Sequence, residues 1–121
     1  MLVPGAVIEL NGELGAGKTT LVRGIARGLG LTDPREVRSP TFVLAVSYPT
    51  DPPLAHMDLY RLSGAAEALA AGLGEFLSGS WVVAVEWGDR APGLLPPDRL
   101  AVLLTHAGPD EREARLQALG P

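Results

Sequence analysis

The sequence predicts an α/β fold, with a mostly parallel central sheet and helices flanking it. Three observations carry this expectation. Short apolar runs bounded by turn residues alternate with stretches of helical spacing. The clearest runs, Ala6–Leu10 and Trp81–Glu86, are apolar along nearly their whole length, as strands buried on both faces are. The first of them passes through a glycine-rich turn straight into a helical pattern, the strand-then-helix order of a parallel sheet.

Taken in order, Ala6–Leu10 lies between Pro4-Gly5 and Asn11-Gly12 and reads as a buried strand. From Lys18 to Leu29 the residues Leu21, Val22, Ile25, Ala26 and Leu29 recur at helical spacing, with Arg23 and Arg27 on another side, so an amphipathic helix follows. It ends near Gly28 and Gly30. Thr32 to Pro40 is polar, carries two prolines and reads as a loop. Thr41 to Tyr48 is rich in β-branched and aromatic residues and predicts a strand. Pro49 to Pro53 is a turn, and Leu54 to Leu59 returns as a neighbouring strand. Ala65 to Leu77 predicts one or two short helices, Ala91 to Pro97 a loop and Leu100 to Thr105 a further strand. Glu111 to Leu119 reads equally as strand or helix. With no internal repeat or linker, residues 1–121 read as one domain.

Composition narrows the function classes. Hydrophobic residues make up 46% of the 121 residues, enough for a core, and the 5% aromatic content leaves that core to Leu, Val, Ile and Ala. Ten basic residues against 14 acidic ones give a net charge of −4, which argues against a broad basic face gripping nucleic acid. The absence of cysteine excludes disulfides, thiolate metal sites and thiol nucleophiles. Met1 to Leu10 lacks the basic segment and apolar run of a signal peptide, and no stretch approaches the ~18 apolar residues of a membrane span. A cytoplasmic location is therefore expected. Nine of the ten basic residues are arginine, and the one lysine is Lys18.

That lysine sits in Gly12-Glu13-Leu14-Gly15-Ala16-Gly17-Lys18-Thr19, an ungapped match to G-x-x-x-x-G-K-S/T between a strand and a helix. Glycines let the backbone wrap a phosphate with its N–H groups inward, and the helix N-terminus adds its positive dipole end. Lys18 reaches the β- and γ-phosphates as a mobile point charge, and Thr19 offers its hydroxyl to Mg²⁺. A slim ammonium fits such a nest where a guanidinium fork does not, which accounts for the single lysine.

A phosphate loop needs an acid for the magnesium shell at the end of a neighbouring strand. Glu86 ends the apolar run from Trp81, and Asp58 ends Leu54–Met57. Each either serves the site or is a surface acid that caps a strand or pairs with arginine. If both serve, one holds Mg²⁺ and the other holds or polarises the attacking water, and spacing leaves open which does which. Ser39-Pro40-Thr41-Phe42 opens a strand, where a hydroxyl either senses a γ-phosphate or merely begins the strand. His56 and His106 have no metal-ligand companions and read as structural. Trp87 stacks on a base, touches a partner or packs, and Arg61 and Arg90 follow the acids closely enough to pair with them.

GELGAGKTT, RGIARGLG, SPTF, HMDLYRL and VEW, in that order, closely resemble the TsaE family of tRNA threonylcarbamoyladenosine biosynthesis proteins, from about Gly5 to Leu119. SPTF, H-x-D-L-Y-R and EW together are far more specific than the phosphate loop alone. The resemblance implies a three-layer P-loop NTPase-like domain and a Mg²⁺-dependent ATPase of the bacterial cytoplasm. It implies a role in forming N6-threonylcarbamoyladenosine beside the anticodon of tRNAs that read codons starting with A. The implied partners are TsaD and TsaB, whose complex transfers the threonylcarbamoyl group and is reset by ATP hydrolysis; tRNA is met only through them. Carried over by motif, ATP phosphates fall on Gly15, Ala16, Gly17, Lys18, Thr19 and Thr20, and Mg²⁺ on Thr19 and Glu86. Asp58 becomes a further active-site acid and Thr41 part of a switch-like segment. The sequence departs from the family in Gly88-Asp89, where Pro-Glu is usual. Only ten residues precede Asn11, where the family usually has a further strand and helix; a missing edge element would expose apolar surface.

Two other classes share parts of this pattern. A small-molecule kinase has the same phosphate loop but needs a lid with converging arginines and an acceptor pocket, for which 121 residues leave little room. A GTPase needs a second lysine in its guanine-reading N-K-x-D, and Lys18 is already committed. A nucleotide-sensing assembly subunit merges with the family reading if turnover requires the partners.

Overall fold

A computed structural model describes every residue except Met1, residues 13–16, Ser39, residues 41–42, Asp110 and Pro121. Strands β1 (Val7–Gly12), β2 (Ala45–Tyr48), β3 (Leu54–Asp58), β4 (Val82–Glu86), β5 (Arg99–Gly108) and β6 (Glu111–Leu119) form one sheet, in the order β2-β3-β4-β1-β5-β6. β3, β4, β1 and β5 run parallel, and an antiparallel strand lies at each edge. Helix α1 (Lys18–Gly28) follows β1, and α2 (Ala65–Ala70) links β3 to β4.

Burial explains the parallel centre. Every residue of β3 and β4 is buried, as is β1 from Val7 to Leu10, so these strands need cover on both faces. On one face Val22 and Ala26, four apart on α1, pack with Ile8, Leu10, Leu54, Val82, Ala84, Val102 and Leu104. On the other, Leu62, Ala68 and Leu73 from the segment around α2 cover Val7, Ala55, Met57, Val83 and Val85. The expected three layers are therefore present. Below α1, Arg35 bonds to Asp33 and holds that carboxyl below its usual range, through its guanidinium first and its backbone N–H second.

Three expectations change at the edges. The strand foreseen from Thr41 begins only at Ala45; Leu44 has φ +69°, a left-handed conformation that breaks the extended run, and residues 41–42 lie outside the described residues. β5 extends beyond Leu100–Thr105 in both directions because β6 pairs along it from Arg99 to Gly108. Glu111–Leu119 is a strand: Ala114, Leu116 and Ala118 alternate opposite Leu104, Val102 and Leu100, a period of two that the helical reading does not supply. Apolar surface stands open beside α1, where Leu2, Leu21, Ile25, Leu29 and Pro52 line a trough of about 660 Å³. Among the described residues no helix is long and apolar enough to cross a membrane.

Candidate functional site

The carboxyl ends of β1, β3 and β4 lie level, with Leu10 beside Glu86 and Glu86 beside Asp58. In a parallel α/β sheet these ends open onto the ligand crevice. Asp58 follows Leu54 by four residues and Glu86 follows Val82 by four, so both carboxylates project from the face that α1 covers. Both are buried, at 4% exposure each.

Between β1 and α1 the chain turns through Gly12, with φ +148°, and Gly17, with φ +100°. Only glycine adopts such angles without strain, so Gly17 can deliver Lys18 into the first turn of α1. Lys18 is only 6% exposed. Its Nζ donates to the Gly12 carbonyl at 2.7 Å and lies 4.2 Å from the centre of the Trp87 ring. Among the described residues it has no carboxylate within ion-pair distance. Burying an ammonium without an anion is costly, and none of the described residues supplies one to Lys18. The N-terminus of α1 has the same deficit: its first turn holds no acid and Gly17 offers no side-chain cap. Leu10, Asn11, Gly12, Lys18, Trp87 and Asp89 line a cleft of about 110 Å³ here.

The two acids differ in their ties. Asp58 Oδ1 accepts the Tyr60 backbone N–H at 3.0 Å, closing a turn at the end of β3. Glu86 Oε2 accepts from His56 Nε2 at 2.5 Å, and His56 is wholly buried. Thr19 is half-buried beside Lys18, and Thr20 is exposed. Glu86 and Thr19 offer hard oxygen donors. Among the described residues no group of three or more His, Cys, Asp or Glu side chains forms a self-contained metal cage. That donor set fits Mg²⁺ bound together with phosphates, an ion that uses one or two carboxylates and keeps waters and phosphate oxygens for the rest.

After Glu86 the chain turns sharply at Trp87, whose φ of +60° is rare for a bulky residue. The turn lays the indole over Lys18 and against Tyr60, with ring centres 5.0 Å apart. Arg90, expected to pair with an acid, instead lies over the Tyr60 ring at 4.8 Å and the Trp87 ring at 5.7 Å. At Gly88, which departs from the family pattern, a Cβ would stand 2.7 Å from Glu9 Oε2 and 2.9 Å from Leu95 Cδ1, so those two side-chain tips would have to shift to admit one. Glu9, on the face away from α1, is bridged by Arg99 at 3.1 Å.

Of the residues singled out from the sequence, Lys18, Thr19, Asp58 and Glu86 come to one end of the sheet. Gly15, Ala16, Ser39 and Thr41 lie outside the described residues. The flanking Pro40 and Leu44 are tied to the site's edge: Leu44 N–H donates to Pro40, and Asp58 N–H donates to the Leu44 carbonyl. Two contacts escaped sequence reasoning, the His56–Glu86 bond and the Glu9–Arg99 pair. A signal for the first was present, since His56 stands two residues before Asp58 and shares its face. The second joins residues 90 positions apart and left no local trace. His106 is exposed on β5, and no contact among the described residues joins it to the site.

Residues 1–114 match the family model described as threonylcarbamoyl adenosine biosynthesis protein TsaE. The chain is 46% identical over 118 residues to the tRNA threonylcarbamoyladenosine biosynthesis protein TsaE of Bacillus subtilis, covering 97% of this chain and 72% of that protein. It is 45% identical over 111 residues to the protein of the same name from Streptomyces coelicolor, covering 88% of this chain and 73% of that one. The crystal structure of Bacillus subtilis YdiB superimposes with a TM-score of 0.77 at 40% identity, covering 97% of this chain and 70% of the other.

Proposed function

The chain belongs to the TsaE family of threonylcarbamoyladenosine biosynthesis proteins, and from that premise we propose that it is a single-domain, Mg²⁺-dependent ATPase serving tRNA modification in the cytoplasm. Its nucleotide is ATP. Its partners are TsaD and TsaB, whose complex forms N6-threonylcarbamoyladenosine on tRNAs reading codons that start with A, and it meets tRNA only through them. The observation that carries the ATPase reading is Lys18, a buried ammonium at a helix N-terminus with no acidic partner among the described residues and two buried acids at the neighbouring strand ends.

In this reading the backbone from Gly15 to Thr20 holds the phosphates and Lys18 meets the β- and γ-oxygens. Thr19 and Glu86 hold Mg²⁺, which when bound offsets charge on the phosphate oxygens. Asp58, level with Glu86, orients the attacking water, and Thr41 senses the γ-phosphate. The water oxygen bonds to the γ-phosphorus as the bond to the β–γ bridging oxygen breaks. ADP leaves with that oxygen, and the water proton goes to the released phosphate. Catalysis here is positioning and charge stabilisation in a site partly closed to water.

The test is phosphate release from ATP by the chain alone and with TsaD and TsaB, comparing wild type with Lys18→Ala and Glu86→Ala. Both substitutions are expected to lower release at least about 100-fold, the scale of losing one charge-stabilising group. Release unaffected by both would overturn the site. Phosphoryl transfer to small metabolites, assayed in parallel, would instead indicate a kinase.

A further inference from the structure

We propose that His56 is a positioning residue for Glu86: its Nε2–H fixes Oε2, so that the carboxylate presents Oε1 alone to the Mg²⁺–phosphate side. This inference rests on the ATPase reading above.

The geometry supplies the argument. His56 Nε2 lies 2.5 Å from Glu86 Oε2, and the side chains are 0% and 5% exposed. An ionised carboxylate only accepts, so the tautomer with its hydrogen on Nε2 makes the bond. Nδ1 is fully buried and has no partner among the described residues. The same tautomer leaves a lone pair there and not an N–H. A histidine serving the core alone would be expected to use both nitrogens; this one is aimed at a single oxygen. The sheet register makes room for that aim. His56 stands directly beside Ala84, whose methyl leaves space for the imidazole to lean towards Glu86 two residues further along the same face.

The consequence is a division between the two acids. Glu86 has one oxygen tethered by a wholly buried donor, so its free oxygen has a defined direction, as a metal-holding carboxylate requires. Asp58 accepts through Oδ1 from a backbone group, the Tyr60 N–H of the turn after β3, and not from a buried imidazole. His56 therefore acts through Glu86 and touches neither nucleotide nor metal.

The test combines nucleotide binding with turnover in His56→Leu, His56→Asn, His56→Gln, Glu86→Gln and the His56→Leu/Glu86→Gln double variant. The probe is a fluorescent ADP analogue, titrated with and without Mg²⁺, alongside kcat and KM for phosphate release. His56→Leu is expected to keep Mg²⁺-free affinity within about twofold, while the tightening caused by Mg²⁺ and kcat each fall about tenfold. His56→Gln, whose amide can still donate, is expected to recover both to within about threefold, whereas the shorter His56→Asn is not. In the Glu86→Gln background His56→Leu is expected to add less than about twofold, as non-additivity within one contact demands. A folded His56→Leu with the wild-type response to Mg²⁺, or an effect fully additive with Glu86→Gln, overturns the proposal. If the leucine variant does not fold, equal behaviour of the Asn and Gln variants overturns it. Wild-type protein that binds no nucleotide overturns the ATPase reading and this role with it, an outcome distinct from an active wild type insensitive to His56.

Discussion

Lys18 concentrates the chemistry of this chain at one atom. A sequence that uses arginine at every other basic position places its single lysine where a ring and a carbonyl hold the ammonium and no anion stands among the described residues. Lys18→Arg keeps the charge but brings a planar fork to a site shaped for a point donor. Titration with a fluorescent nucleotide should show affinity lowered about tenfold or more, the loss expected when a charge-assisted bond of ~1.5–3 kcal/mol is misplaced. The Lys18–Trp87 contact also predicts a signal. If the ammonium leaves the indole face for a phosphate, Trp87 emission changes on nucleotide binding. A Trp81→Phe variant should keep the change and Trp87→Phe should lose it; a signal carried by Trp81, which packs edge-on against Phe76, would contradict the motion. Gly88→Ala sets a methyl against the tips of the Glu9 and Leu95 side chains, which can turn aside, and denaturant unfolding should show a loss of no more than about 1 kcal/mol, the low end of the overpacking range. These residues differ in how visible they were. The phosphate loop is a contiguous string whose chemistry depends on spacing alone. Gly88 reads in the sequence only as a departure from a family pattern; that it lies against Glu9, 79 positions earlier in the chain, is visible only in the fold.

At the scale of elements, local pattern served well where burial was uniform. β1, α1, β3 and β4 appear within two residues of where apolar runs and helical spacing place them, because each is held by the core on the face its sequence shows. The edges were less legible. β2 starts at Ala45, directly after a left-handed turn at Leu44, a conformation that a β-branched, aromatic string gives no warning of. β6 carries helix-forming residues, and only its antiparallel ladder to β5 makes it a strand. Helix α1 also holds an exposed glycine with nothing within 4 Å of an added Cβ, Gly24. Gly24→Ala should raise stability by about 0.5–1 kcal/mol, from the lost backbone freedom of the unfolded chain, and the shift can be read from the urea midpoint.

The whole molecule is a sheet whose two faces do different work. The α1 face carries His56, Asp58 and Glu86 towards the start of α1, while the α2 face closes over Val83 and Val85. The site's His56, Asp58 and Glu86 rise from strands buried along their whole length. At the far edge Leu116 is 65% exposed on β6, although Val102 opposite it is buried. Leu116→Lys should leave the unfolding free energy within about 0.5 kcal/mol, since little contact is lost, and should reduce any concentration-dependent self-association seen by gel filtration. A large loss of stability would mean that this edge is packed more tightly than its exposure indicates. Order and spacing along the chain were enough to specify the phosphate loop, the amphipathic helix behind it and the acids ending two strands. Those features arise from groups a few residues apart, whose geometry follows from backbone periodicity. The levelling of Asp58 with Glu86, the tether from His56, the Glu9–Arg99 bridge and the strand at Glu111–Leu119 all join distant segments. They came into being with the register of the sheet, because only packing across strands decides which remote residues become neighbours.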